Sequence, residues 1–201
     1  MTQNKMKSKK IALTGGIGSG KSTALEMLKD AGYVTLSSDK IVSDLYRTRK
    51  VKKLLKAIFP NAVSGLINLK IDRKKISEQV FSDNSLHQKL TSTITPLVLD
   101  EIERRAKKIN NHVFVEVPLL FECGYQNEFD AVIIITRPIK DRIESVKQRS
   151  NLTEQDIIAR IKKQIDYDNL DVAPYSVIIN DGDINSLREK VIDTANNIIE
   201  K

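Results

Sequence analysis

Along the chain, short runs of β-branched and aliphatic residues alternate with stretches in which apolar positions recur every three or four residues. The runs are IALT (11–14), YVTL (33–36), VFVEV (113–117), AVIIIT (131–136) and SVIIN (176–180). Because they are apolar nearly throughout, they read as strands buried on both faces, the pattern of a parallel sheet covered by helices. Helical stretches separate them, so right-handed crossovers follow, and the expected fold is α/β: a doubly wound, mainly parallel five-stranded sheet. The first helix is predicted from Lys21 to Ala31, with Ala24, Leu25, Leu28 and Ala31 on one face and Gly32 as its stop.

Two intervals break the alternation. Residues 40–109 contain no comparable strand and are predicted to be an all-helical insertion. Its helical patterns gather around Val51, Leu54, Leu55 and Ile58, then after Asp72 with Ile76, Val80 and Phe81, then after Ser85, where Pro96 interrupts or restarts the helix. Residues 140–169 form a charged two-helix excursion broken at Ser150 to Leu152, with Thr153 as N-cap and Asp156 in the capping-box place, shaped like a closing lid. The nucleotide-binding core is then residues 11–39, 110–139 and 170–201, preceded by a basic tail over 1–10 whose Lys5, Lys7, Lys9 and Lys10 read as solvated.

The turn between the first strand and the first helix carries the chemistry. Gly15, four residues, then Gly20, Lys21 and Ser22 satisfy G-x-x-x-x-G-K-[ST], and the motif sits where it should, after a strand and before a helix. Backbone N–H groups of such a loop, together with the helix N-terminus, attract phosphates. Lys21 would reach the β and γ phosphates, and the Ser22 hydroxyl would bind Mg²⁺. This is the phosphate loop of the P-loop NTPase fold, and it implies a bound nucleoside triphosphate.

Composition narrows the class without naming a partner. The chain has 201 residues, room for one core with an inserted unit, and a single cysteine, Cys123, which leaves no intramolecular disulfide or His/Cys zinc cluster. A reducing, cytoplasmic setting is expected, since no apolar run resembles a signal peptide or a membrane span. The net charge of +7 suits either a nucleic-acid surface or an enzyme of phosphorylated small molecules.

Three uses of the loop compete. A regulatory GTPase needs D-x-x-G and N-K-x-D elements, and neither occurs. A motor or nucleic-acid-binding ATPase would use a strand carboxylate such as Glu116 and the basic segment RTRKVKKLLKAIF, but aromatic residues are only 5% with no Trp, so stacking platforms are scarce. A small-molecule kinase needs a carboxylate at the acceptor and cations over the transferring group. Asp39, just beyond the second strand, is a candidate base, with a helix N-cap as its alternative role. Arg142, Arg149, Arg160, Lys162 and Lys163 in the lid region supply the cations.

These residues resemble the dephospho-coenzyme A kinase family over Ile11 to about Leu187. LTGGIGSGKST (13–23) is similar to its phosphate loop, Asp39 falls on the second aspartate of its D-x-D element, and VPLLFE (117–122) resembles its most distinctive signature. IDRKKISEQVFSD (71–83) is similar to its inserted segment, QRSNLT and RIKKQ to its lid, and VIINDG (177–182) to its adenine loop.

The resemblance implies transfer of the γ-phosphoryl group of ATP, with Mg²⁺, to the ribose 3′-hydroxyl of dephospho-coenzyme A. It implies Asp39, Lys21 and Arg149 as catalytic residues. It places Gly15, Gly16, Ile17, Gly18, Ser19, Gly20, Lys21, Ser22, Thr23, Arg142, Asn180 and Gly182 on ATP, and Asp39, Leu120, Phe121, Glu122 and Gln164 on the acceptor, with Ser22 on the metal. The helical insertion would serve the acceptor side, and neither nucleic acid nor membrane would be a partner. The chain departs from the family pattern at Ser37, Thr95, Ser145, Ser150 and Tyr175, where an acid, a histidine, an arginine, an acid and an aspartate are frequent. A nucleoside or nucleotide kinase of the same fold is the enzymatic alternative.

Overall fold

The computed structural model describes residues 8–167 and 169–200. The chain forms two units, one made of residues up to Ser37 and from Ala106 onward, the other of Ser38–Arg105.

The first unit is built on a parallel sheet of β1 (Lys10–Thr14), β2 (Val34–Ser37), β5 (Val113–Glu116), β6 (Ala131–Thr136) and β7 (Ser176–Ile179) in the order β2-β5-β1-β6-β7. Every neighbouring pair is parallel. β1 lies at the centre, which is why its residues Ile11, Ala12, Leu13 and Thr14 are all fully buried. Helix α1 (Lys21–Asp30) and the C-terminal helix α8 (Ile184–Glu200) cover one face. Ala24 and Leu28 of α1 meet Leu187, Val191 and Ala195 of α8 over Ile11, Leu13, Ile133 and Ile135. Each buried Leu, Ile or Val of this layer contributes about 1.5–3 kcal/mol, so the layer holds the loop after β1 against a stiff base.

Register sets the working edge. Glu116 stands opposite Leu13 on one side and Ser37 on the other. The ends of β1, β5 and β2 therefore come level, and the segments leaving them begin on one carboxyl edge, the place where ligands of open α/β sheets bind. Helices α6 (Ile139–Arg149) and α7 (Glu154–Lys162) follow β6. Thr153 accepts from the Asp156 N–H while Asp156 accepts from that of Thr153, the reciprocal box expected from the sequence.

The second unit contains α2 (Ser38–Leu45), α3 (Arg49–Ile58), α4 (Arg73–Ser82) and most of α5 (Asn84–Ile109). It is not all-helical as expected: β3 (Val63–Ser64) and β4 (Lys70–Ile71) pair as a short antiparallel ribbon. The pairs are too brief to leave a periodic signal, and Gly65, at φ 89°, makes the turn that follows β3. Pro96 does not break α5, which runs through it. Within this unit Glu101 bonds Arg104 and Arg105, and these bonds hold its carboxyl at about 2; Arg105 also reaches Asp44 on α2 at 3.0 Å.

The reading of a solvated tail over residues 1–10 is corrected at its end. Lys10 opens β1, and the Lys9 ammonium donates to the Ile198 carbonyl at 2.6 Å, so both belong to the folded unit. Lys5 and Lys7 lie outside the described residues.

Candidate active site

The phosphate loop joins β1 to α1 in a shape that only glycine permits at key points. Gly15 has φ 143°, and a Cβ there would collide with the Ile135 carbonyl oxygen. Gly20, the N-cap of α1, sits at φ 104° with the Asn180 amide only 2.6 Å from where a Cβ would be. No side chain caps α1 and no acid lies in its first turn, so the positive end of the helix faces the loop uncompensated.

Polar side chains brace this loop from outside. Arg142, 6% exposed, donates through Nε to the Ile17 carbonyl at 3.0 Å. The Asn180 amide donates to the Ser19 carbonyl at 2.9 Å. Gln164 accepts from the Ile17 N–H at 2.7 Å. These bonds fix where the remaining amides point, which is the preorganisation that an anion site needs. Thus Arg142 and Asn180 shape the loop, and Gln164, which the resemblance set on the acceptor, holds loop backbone.

Lys21 Nζ donates to the carbonyls of Gly15 and Gly16 at 2.7 and 2.8 Å. Its pKa falls from the ordinary 10.5 to about 8, first through burial; Arg142 and Arg149 lower it further, and Glu116 and Glu122 oppose them. A partly desolvated ammonium of this kind gains strongly from a phosphate. Next to it, Ser22 Oγ donates to Glu116 Oε1 at 2.8 Å, and Glu116 is 8% exposed at the end of β5. A hydroxyl and one buried carboxylate make a hard-oxygen donor pair, which suits Mg²⁺ completed by substrate phosphates and water. No cluster of three or more His, Cys, Asp or Glu side chains that could hold a metal occurs among the described residues.

Beside the loop lies a cavity of about 320 Å³ lined by Gly18 and Gly20 to Thr23 on one side and by Arg137, Ser145, Arg149, Asn180 and Gly182 to Ile184 on others. Arg149, at the end of α6, and Gly182 therefore share the pocket with Lys21, Ser22 and Thr23. The Ser19 hydroxyl is buried with no partner among the described residues.

The segment after β5 forms a second group. Leu120 is fully buried, so the expectation that its side chain meets the acceptor is corrected: it serves the core, and Leu119, 45% exposed, offers the apolar surface. Phe121 packs edge-on against Tyr175 and Tyr167, with centroids 5.1 and 6.1 Å away. Glu122 accepts from the Ile165 N–H at 3.1 Å. Tyr167 is buried, and burial pushes its hydroxyl to about 12, with the Thr14 hydrogen bond pulling the other way. Burial likewise raises the Cys123 thiol.

Asp39 is the second residue of α2, exposed, in the first turn. The alternative role as N-cap is ruled out, because the helix already begins at Ser38. The carboxylate sits two residues past the end of β2. Of the departures, Ser145 lines the cavity, Ser150 donates to the Val146 carbonyl at the end of α6, and Thr95 lies inside α5.

From sequence alone Glu116 is only a candidate strand carboxylate of a motor ATPase; the structure puts it on Ser22. Its position in a buried strand was visible. Its partnership with Ser22 depends on the pairing of β1 with β5 and was not.

Comparison with known proteins agrees with this geometry. The dephospho-CoA kinase family model matches residues 9–186. Dephospho-CoA kinase of Thermus thermophilus is 34% identical over 160 residues, 77% of this chain and 74% of that protein. The enzyme of the same name from Deinococcus radiodurans is 31% identical, covering 93% and 90%. Among solved structures, TT1252 from Thermus thermophilus superposes with TM-score 0.83 at 28% identity, covering 94% of this chain and 97% of that one. Dephospho-CoA kinase from Campylobacter jejuni gives TM-score 0.69 at 26% identity, covering 96% and 98%.

Proposed function

The chain belongs to the dephospho-CoA kinase family, and from that premise we propose that it moves the γ-phosphoryl group of Mg²⁺-ATP onto the ribose 3′-hydroxyl of dephospho-coenzyme A. The observation that carries the ATP and Mg²⁺ parts of this reading is the meeting of Lys21 and Ser22, where the braced loop enters α1, with Glu116 at the end of β5.

Each residue then has a task. Amides of residues 15–22 and the N-terminus of α1 hold the phosphates. Lys21 neutralises charge that builds on the β and γ oxygens, and its desolvated ammonium makes that contact strong. Ser22 would ligate Mg²⁺, with Glu116 orienting the hydroxyl or holding a water of the ion. When bound, the ion supplies charge neutralisation across the phosphates. Arg149 from the lid covers the transferring group; such an arginine is worth about 10³ to 10⁵ in rate. Asp39 orients the acceptor hydroxyl and takes its proton. Phe121 and Glu122 contact the acceptor, Phe121 through its ring and Glu122 through its carboxylate. Gly16, Ile17 and Thr23 contribute to the nucleotide site, and Asn180 and Gly182 flank the adenine.

The test is turnover of dephospho-coenzyme A with ATP or GTP, in Mg²⁺ or in excess chelator. The proposal expects product only with metal and a higher kcat/KM for ATP. Full activity in chelator, or equal use of both nucleotides, would contradict the metal or the donor assignment.

A further inference from the structure

Two guanidiniums, those of Arg137 and Arg149, line the nucleotide cavity, and they arrive from different places. Arg149 closes α6, and its charge registers at Lys21, which puts it toward the phosphates. Arg137 directly follows Thr136, the last residue of β6, whose carbonyl accepts the Asn180 N–H at 2.9 Å. That bond pins Arg137 where β6 and β7 end together. The neighbouring cavity wall continues through Asn180, Gly182, Asp183 and Ile184. Pro138 follows immediately with φ −51° and caps α6, so the backbone carrying Arg137 has little freedom.

The side chain is unusual in its partners. Arg137 Nε is buried and has no hydrogen-bond partner among the described residues, whereas buried donors nearly always have one. With Nε shut off from solvent and the residue lining the cavity, what Arg137 offers a ligand is the remaining part of its guanidinium. The surrounding wall favours a flat ligand: Ile184 leaves 57% of its surface exposed, and Ser145, a small side chain, lines the same cavity. A planar cation and an exposed aliphatic chain in one pocket suit an aromatic ring.

We propose that Arg137 is the nucleobase-binding residue of this site, its guanidinium lying against the purine ring of the donor nucleotide while Arg149 and Lys21 handle the phosphates. The inference rests on the reading of the cavity as the ATP site. It assigns Arg137 to donor affinity and leaves the phosphoryl-transfer step to other residues. An arginine at this position is also a distinct use of charge: the guanidinium holds the base through its face, where a lysine would offer no plane.

The experiment is calorimetric binding of ATP and of inorganic tripolyphosphate to the wild-type chain, Arg137→Ala and Arg137→Lys, with thermal melting to confirm folding. Arg137→Ala should weaken ATP about 5- to 30-fold and tripolyphosphate less than about twofold, and Arg137→Lys should restore little of the ATP loss. Equal losses for the two ligands, or full recovery by lysine, would place Arg137 on the phosphates and overturn the proposal. Unchanged ATP affinity in a folded Arg137→Ala would overturn it as well. A wild-type chain that binds tripolyphosphate but not ATP would overturn the donor reading, and the base contact with it.

Discussion

Ser22 Oγ donates to Glu116 Oε1 across 2.8 Å, joining the first turn of α1 to the end of β5. The bond makes a buried strand glutamate part of the proposed cation site. A carboxylate only 8% exposed costs several kcal/mol unless partnered, and here the Ser22 hydroxyl and the charge of Lys21 partner it. A divalent ion bound with the nucleotide would satisfy it fully.

Glu116→Gln should therefore keep the fold and the Ser22 contact while losing charge at the ion. The expected result is a kcat about 10- to 100-fold lower and a higher Mg²⁺ concentration for half-maximal rate. A Mg²⁺ titration of turnover measures both, and an unchanged half-saturation point would remove Glu116 from the ion's surroundings.

Lys21 predicts a pH dependence. Its ammonium loses the proton near about 8 in the ligand-free chain, and bound phosphates push that value back up. Hence kcat/KM for ATP should decline above pH about 8, while kcat holds to higher pH. The linkage to stability has the opposite sense: the folded value lies below the unfolded 10.5, so the penalty of burying the charge is full below about 8 and is relieved as pH climbs from there toward 10.5. The melting temperature of wild type relative to Lys21→Met should rise across that window.

Asp39→Asn should lower kcat by about 10² to 10⁴ with ATP affinity nearly unchanged, since the amide keeps the size and polarity of the side chain but takes no proton. Calorimetric ATP binding beside steady-state rates separates the two effects. Unimpaired turnover would leave Asp39 as a helix-terminus charge only.

Arg149→Ala should reduce kcat more than it raises KM for ATP, because its contact with the transferring group is made chiefly in the transition state. Single-turnover rates measure this directly. A pure KM effect would move Arg149 to the ground-state nucleotide.

The sheet was legible because each strand is a continuous apolar run: AVIIIT appears unchanged as β6, three others differ by a residue at one end, and YVTL is shifted by one residue as β2. The start of α7 was legible through its capping box. The β3 to β4 ribbon was not, since two-residue strands carry no period. At the site, the loop could be read from its glycines. The partnership of Gln164 with the Ile17 amide, of Glu116 with Ser22, and the burial of Leu120 behind Leu119 depend on how separated segments meet, which local pattern does not encode. The acceptor followed from VPLLFE by resemblance; the +7 charge alone left a nucleic-acid ATPase equally open.

The most direct test of the central claim is a coupled ADP-release assay with Mg²⁺-ATP and dephospho-coenzyme A beside a panel of nucleosides and nucleotides, with product mass and phosphate position determined. The account predicts turnover of dephospho-coenzyme A, with phosphate on the ribose 3′-hydroxyl, and no comparable rate on the panel. Turnover confined to another acceptor, or phosphate placed elsewhere on the molecule, would contradict it.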